Sequence, residues 1–173
     1  MRYFLLAGAL AGFPMLSGCS PTLNWRDVRP EQTQLLALFP CKPERLLRVV
    51  SLGAQEVPLT MLVCDAGGAK FALAYGNTKD AAKTAVILDQ WQSTTLANIG
   101  AQMSRELPVQ IKGASALPRV VAVQANGVRP DGSPVALQAV WFAAGTQVYQ
   151  AAVYADTANP GVADTFFAGL RLP

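Results

Sequence analysis

The chain has 173 residues, of which 51% are hydrophobic and 14% are charged, and its formal net charge is +3. This length suits one domain, and the apolar content excludes intrinsic disorder, because disordered chains are poor in apolar residues and rich in charge. The Lys and Arg residues are too few and too scattered to indicate binding to nucleic acid.

The N-terminus has the pattern of an export signal. Arg2 supplies a positive charge, and Tyr3–Leu16 is apolar or small throughout. This run is shorter than the roughly 20 residues of a transmembrane helix, and Phe13-Pro14 interrupts it. We therefore expect residues 1–18 to be a secretory signal peptide, with a buried N-terminal helix as the alternative.

The signal ends in Leu16-Ser17-Gly18-Cys19, which resembles the lipobox of bacterial lipoproteins. The resemblance implies that Cys19 receives a diacylglyceryl thioether, becomes the mature N-terminus and anchors the protein in a lipid bilayer. The alternative is an ordinary signal peptide with an incidental cysteine. In the sorting rule of Gram-negative lipoproteins, Ser20 after the cysteine favours the outer membrane, with the domain facing the periplasm.

Residues 19–32 are predicted to be a lipidated tether, and residues 33–173 a single globular domain. The tether contains Pro21 and Pro30. Trp25 lies beside two arginines, so it could contact lipid headgroups, or it could pack on the domain as the first structured residue. We favour packing on the domain.

Strand patterns alternate with turns rich in glycine and proline through most of the domain. Before the central helix, strands are predicted at Thr33–Phe39, Arg45–Leu52, Val57–Cys64 and Lys70–Tyr75. After it, an extended segment is predicted at Leu107–Gly113 and strands at Val120–Val128, Val135–Ala143 and Thr146–Tyr154. Hairpins dominate and βαβ alternation is absent, which predicts an α+β fold with an antiparallel sheet.

Two helices are expected to pack against this sheet. A long central helix is predicted from Thr78 to Met103, with Asn77 as its N-cap and Gly100 weakening its end. Its apolar stripe runs through Ala81, Ala85, Leu88, Trp91, Thr95, Ile99 and Met103. A short C-terminal helix is predicted after Asn159-Pro160, because asparagine suits the N-cap and proline the first helical position.

Several short motifs follow one another along the chain. They are Phe39-Pro40, Lys42-Pro43, Gly127-Val128-Arg129-Pro130-Asp131-Gly132, Gly145–Gln150 and Phe166–Leu172. Together with the central helix they resemble PsbP-like domains, named for an extrinsic subunit of photosystem II. The resemblance covers about residues 33–172 and implies an antiparallel sheet flanked by helices. It carries over no catalytic residue, because members of the fold share none that can be placed in this sequence. The resemblance implies a binding or assembly role, since that is how members mainly act.

Cys41 and Cys64 remain once Cys19 is lipidated. They lie at the ends of neighbouring predicted strands in a chain predicted to be exported, so we predict a disulfide between them. A redox-active pair would call for a Cys-x-x-Cys motif, which the sequence lacks.

The residues of common catalytic sites are scarce. The sequence contains no histidine, which removes Ser-His-Asp and Cys-His pairs and the commonest zinc ligand sets. The carboxylates show no pairing in sequence; they include Glu44, Glu56, Asp65, Asp80, Asp89 and Glu106. We therefore predict no catalytic, metal-binding or cofactor-binding residue and do not expect an enzyme.

The sequence leaves two functions open. The first is an envelope lipoprotein that serves as a non-catalytic interaction or assembly module for an unidentified envelope protein. The alternative is a carrier or sensor that binds a small apolar or lipid ligand between the sheet and a helix. In both, the bilayer is a partner through acylated Cys19.

Overall fold

The structure is a computed structural model that describes residues 22–52 and 54–173. The predicted signal peptide, Cys19 and Ser20 therefore lie outside the described residues. The strands are β1 Arg26–Val28, β2 Ala37–Phe39, β3 Glu44–Leu52, β4 Gln55–Ala66, β5 Ala69–Asn77, β6 Ser104–Leu107, β7 Val121–Val128, β8 Pro134–Ala144 and β9 Gln147–Ala155. The α-helices are α1 Thr84–Asn98 and α2 Pro160–Ala168.

The fold is α+β, as predicted, and its centre is a seven-stranded sheet. The strand order is β3-β4-β5-β9-β8-β7-β6, and every pairing is antiparallel. Strands β1 and β2 form a separate antiparallel pair. Most neighbours are joined by tight hairpins; Gly67 and Gly68, between β4 and β5, have φ of +59° and +75°, which glycine adopts without steric cost.

The seven-stranded sheet is buried on both faces. On β9, Val148 and Ala152 face the core that contains Trp91 of α1, so we call this side the α1 face. The alternate residues Tyr149 and Ala151 face the core that contains α2, which defines the α2 face. The domain therefore has three layers, with α1 on one side of the sheet and α2 and the β1–β2 pair on the other.

The central helix is shorter than the sequence predicted. A 3-10 turn at Ala81–Lys83 leads into α1, which ends at Asn98 rather than near Met103. The helix stops there because Gly100 adopts φ of +58° and turns the chain back. Asp80, not Asn77, caps the start, since its side chain accepts a hydrogen bond from the Ala82 amide.

The apolar stripe was predicted only in part. Leu88, Trp91, Thr95 and Ile99 are buried as expected. By contrast Ala81, Ala85 and Met103 are exposed. Ala81 lies in the 3-10 turn and Met103 beyond the end of α1, whereas Ala85 lies within α1 on its exposed face. Thr84 and Ile87 fill the positions facing the sheet instead.

Part of the predicted tether belongs to the folded domain. Residues 26–28 form β1, which pairs with β2, and the Asn24 amide donates a hydrogen bond to the Pro40 carbonyl. Trp25 packs edge-on against Phe71, with ring centroids 6.1 Å apart. The domain thus begins before residue 33, and Trp25 packs on it as we favoured.

Two predicted strands have different bounds. The strand expected at Thr33–Phe39 is reduced to Ala37–Phe39, because Leu36 pairs with Arg171 of the C-terminal segment instead. Of the segment expected at Leu107–Gly113, only Leu107 belongs to a strand, as the last residue of β6. Farther on, Lys112 forms an isolated bridge with Arg171. The C-terminal segment therefore holds both of these pieces on the α2 face.

Candidate ligand-binding cleft

A cleft of about 700 Å³ lies between the C-terminal end of α1 and the seven-stranded sheet. The β4–β5 hairpin forms one wall, the end of α1 a second, and the turn between β7 and β8 a third. We call it the Tyr154 cleft; its lining is Asp65, Ala66, Gly67, Gly68, Ala69, Lys70, Asn98, Ile99, Val128, Arg129, Pro130, Val135 and Tyr154.

The cleft exists because α1 does not reach the end of the sheet. After Asn98 the chain turns at Gly100, and the Ile99 carbonyl accepts a hydrogen bond from the Val128 amide at 2.8 Å. Gly127 lies directly beneath this carbonyl, which a Cβ at that position would overlap. The end of α1 is thereby fixed to β7, while the sheet beyond it stays uncovered.

Tyr154 contributes a phenol to the cleft. Its side chain lies on the α1 face and is half-buried. Burial raises the pKa of its phenol above the ordinary value. The hydroxyl has no hydrogen-bond partner among residues 22–52 and 54–173, so it is available to a ligand.

Two cations lie at the cleft, and each is already paired with an exposed carboxylate. Lys70 Nζ is 2.8 Å from Asp65 Oδ2, and Arg129 Nη2 is 2.9 Å from Asp156 Oδ1. Arg129 also donates to the Pro134 carbonyl, which holds its guanidinium in place. Exposed pairs of this kind contribute little to stability, so their cations can exchange partners.

The predicted disulfide is present in the structure. Cys41 and Cys64 are joined by an S–S bond, with their Cα atoms 6.1 Å apart. The bond links the segment after β2 to β4, and Cys64 packs into the core of the α2 face. Cys19, the predicted lipid attachment site, falls outside the described residues.

The dispersed carboxylates are surface groups. Glu106 accepts two hydrogen bonds from Arg119, and these lower its pKa below the ordinary value. Asp65 pairs with Lys70 and Asp80 caps the 3-10 turn, whereas Glu44, Glu56 and Asp89 are exposed. Across the described part of the chain, no group of three or more Cys, Asp and Glu residues is placed to hold a metal ion.

A second notable surface is the outer edge of β3. Strand β3 pairs only with β4 among the described strands, so its other backbone edge is open. Leu47 and Val49 are 64% and 65% exposed. They line a groove of about 490 Å³ together with Pro58, Thr60 and Tyr75 of the neighbouring strands. We call this surface the β3 edge.

One buried polar atom has no partner within the described ranges, namely Trp141 Nε1 on the α1 face. Trp141 lines a small cavity of about 160 Å³ beside the Glu106–Arg119 pair. A cavity of this size has room for water, which could accept the indole hydrogen bond.

Sequence reasoning did not select the residues of the Tyr154 cleft. The glycines and proline of Asp65–Gly68 and Arg129–Ser133 indicate turns between predicted strands, but nothing local indicates that these two turns meet. Their adjacency follows from the order of the strands, in which β5, β9 and β8 are neighbours. One lining residue did have a signal in the sequence. Side chains alternate between the two faces along β9, which places Tyr154 on the face opposite Tyr149.

Neither a protein-family model nor a curated protein sequence matches this chain. Within the ranges that the structure describes, no helix is long and apolar enough to cross a membrane.

Proposed function

We propose that the protein is a bacterial envelope lipoprotein whose domain binds a small, largely apolar ligand in the Tyr154 cleft. The observation that carries the proposal is the cleft itself. Its volume of about 700 Å³ falls within the range of about 300–1,000 Å³ that is typical of ligand pockets. Apolar walls with a few polar groups are the usual lining of such sites.

The polar groups of the cleft would orient the ligand. Ile99, Val128 and Val135 offer apolar contact, while the free hydroxyl of Tyr154 can donate or accept one hydrogen bond. Lys70 and Arg129 add positive charge at the cleft. We therefore propose binding without catalysis, and assign no reaction to the site.

The location of the protein is part of the proposal. The support is the sequence pattern, in which a signal segment precedes Leu16-Ser17-Gly18-Cys19. Acylation of Cys19 would hold the domain at a bilayer, since two or more acyl chains anchor a protein stably. Ser20 favours the outer membrane, with the domain in the periplasm.

We also propose kinship with PsbP-like domains. The support is the order of elements, with an antiparallel sheet, a helix between its two halves and a short C-terminal helix. The helix α1, with 15 residues, is shorter than the resemblance led us to expect. The motif around Gly127 has a packing role here, because it lies under the end of α1.

The test is binding of the uncharged fluorophore N-phenyl-1-naphthylamine to the purified mature protein. Val128→Trp should fill the cleft and abolish the fluorescence increase, because Val128 is 52% exposed and lines the cleft. Val86→Trp is the matched control, since Val86 is 59% exposed but lies on α1 and does not line the cleft. Equal binding by both variants, or no binding by the wild type, would contradict the proposal.

A second function is favoured by the β3 edge. Exposed strand edges with apolar side chains recruit an additional strand, and several recognition domains bind extended peptides in this way. We propose that this surface serves an interaction or assembly role by pairing with an extended segment of another envelope protein. Crosslinking in intact envelopes should yield one reproducible adduct between this protein and a partner. Val49→Lys, on the β3 edge, should abolish the adduct, and Val128→Lys, in the Tyr154 cleft, should retain it. Absence of an adduct from the wild type would reject this role.

A further inference from the structure

The described chain begins at the tip of the hairpin that walls the Tyr154 cleft, on the α2 face, where Thr22 and Leu23 line a second cavity with Val153 and Val162. A Cβ added at Gly67, in the hairpin that walls the cleft, would lie 3.1 Å from Leu23 Cδ2 and 3.8 Å from Thr22 Cγ2. Thr22 and Leu23 therefore pack against the tip of this hairpin. Cys19 precedes Thr22 by three residues, so their Cα atoms are at most about 11 Å apart.

The cleft and the anchor thus share one end of the sheet. The register pairs Ala66 with Ala69 and Val128 with Pro134, so the β4–β5 and β7–β8 hairpins both close at this end. Ala155, the last residue of β9, pairs with Ala69 in the same place. A bilayer that holds an acylated Cys19 would consequently lie at the end of the sheet that carries the cleft, although the chain start and the cleft are on opposite faces.

We infer that the ligand of the Tyr154 cleft is an anionic phospholipid of the bilayer that holds Cys19, with one acyl chain in the cleft and its phosphate at Lys70 and Arg129. The inference rests on the proposed function and names its ligand. It follows from the position of the cleft, its apolar walls and its two cations.

Proximity to the bilayer matters because exposure of an acyl chain to water is unfavourable. A cleft next to the bilayer surface can receive a chain with little exposure, whereas a distant one cannot. Lys70 and Arg129 fit the headgroup, since a phosphate accepts charge-assisted hydrogen bonds and can replace the exposed carboxylates of Asp65 and Asp156.

The test uses the lipidated mature protein in vesicles of phosphatidylglycerol and phosphatidylethanolamine. A trace of the phosphatidylglycerol carries a photoreactive acyl chain, and crosslinked peptides are identified by mass spectrometry after irradiation. We expect crosslinks at Ile99, Val128 or Tyr154. Val128→Trp should reduce them to background, and Val86→Trp, at an exposed position of α1 outside the cleft, should leave them unchanged.

The headgroup is tested separately. Lys70→Gln should lower the crosslinking yield about tenfold, as expected for loss of one charge-assisted hydrogen bond. Lys112→Gln is the control, because Lys112 is exposed and does not line the cleft. Equal yields from both variants would overturn the assignment of the phosphate to Lys70.

A second sample carries the photoreactive chain on Cys19 itself, in unlabelled vesicles. Crosslinks in the cleft from this sample alone would show that the protein's own chain fills the cleft, which would overturn the inference. If neither sample crosslinks there while the fluorophore still binds in a manner blocked by Val128→Trp, the inference fails and the proposed function stands. If the fluorophore also fails to bind, both fail.

Discussion

Gln150 Nε2 donates a hydrogen bond of 2.8 Å to Thr95 Oγ1, which joins β9 to α1 inside the core of the α1 face. Both residues are buried, and the Thr95 hydroxyl in turn donates to the Trp91 carbonyl, also at 2.8 Å. A polar pair in an otherwise apolar layer fixes the position of the helix on the sheet, because any shift would leave buried groups unpaired.

Thr95→Val should destabilise the domain by about 1–3 kcal/mol, because it leaves the Gln150 amide buried without its partner. Thr94→Val is the control, since Thr94 is exposed on the same helix. Adding Gln150→Leu to Thr95→Val should recover much of the loss. The free energy of unfolding is measured in urea; equal stability of the two threonine variants would refute the role of the pair.

Gly127→Ala should lower the free energy of unfolding by about 1–3 kcal/mol or more, because the added Cβ would overlap the Ile99 carbonyl. Gly161→Ala is a matched control, since the nearest neighbour of a Cβ there is 4.0 Å away. Both changes restrict the unfolded chain similarly, but alanine at Gly161 of α2 also gains up to about 1 kcal/mol of helix propensity. A difference in the free energy of unfolding larger than this gain reports the native clash. A Gly127→Ala variant as stable as the control would contradict the close approach of α1 and β7.

Replacing both Cys41 and Cys64 by alanine should lower the free energy of unfolding by about 3 kcal/mol, because the disulfide closes a loop in the unfolded chain. The sequence separation of the two cysteines is 23. Dithiothreitol should lower the urea midpoint of the wild type and leave that of the double variant unchanged. A wild-type midpoint insensitive to reductant would contradict a stabilising bond.

Stability should decrease above about pH 10, because burial raises the pKa values of Tyr75, Tyr149 and Tyr154 in the folded state. The stabilisation is complete below the unfolded pKa and is lost as the pH rises through the folded pKa, since the unfolded chain ionises first.

Tyr154→Phe should reduce this alkaline loss and leave stability at pH 7 nearly unchanged, because Tyr154 makes no hydrogen bond within the described residues. Urea unfolding at pH 8, 9.5 and 10.5 measures both quantities. An unchanged pH dependence in the variant would show that Tyr154 does not contribute to it.

Local patterns were sufficient for most elements of the fold. The strand expected at Arg45–Leu52 spans Glu44–Leu52, and the one expected at Val135–Ala143 spans Pro134–Ala144. Asn159 caps α2 as predicted, through its hydrogen bond with the Val162 amide. These features are encoded by side-chain alternation and turn or cap residues within a few positions, so they can be read without knowing the rest of the chain.

The C-terminal end of α1 could not be predicted from local sequence patterns. Ala81 and Met103 continue the helical spacing, yet the structure leaves both exposed. The end of the helix depends on the contact between the Ile99 carbonyl and β7, which is distant in sequence. Docking of Trp25 on Phe71 likewise depends on a partner supplied by another strand.

By itself, the sequence determined the α+β class, the positions of most strands and the pairing of Cys41 with Cys64. The tertiary structure decided where α1 stops, that Tyr154 faces an open cleft, and that Thr22 meets the hairpin at Gly67. The division has a physical reason: periodicity, turns and caps are properties of short segments, whereas a cleft is formed by segments that only the order of the strands brings together.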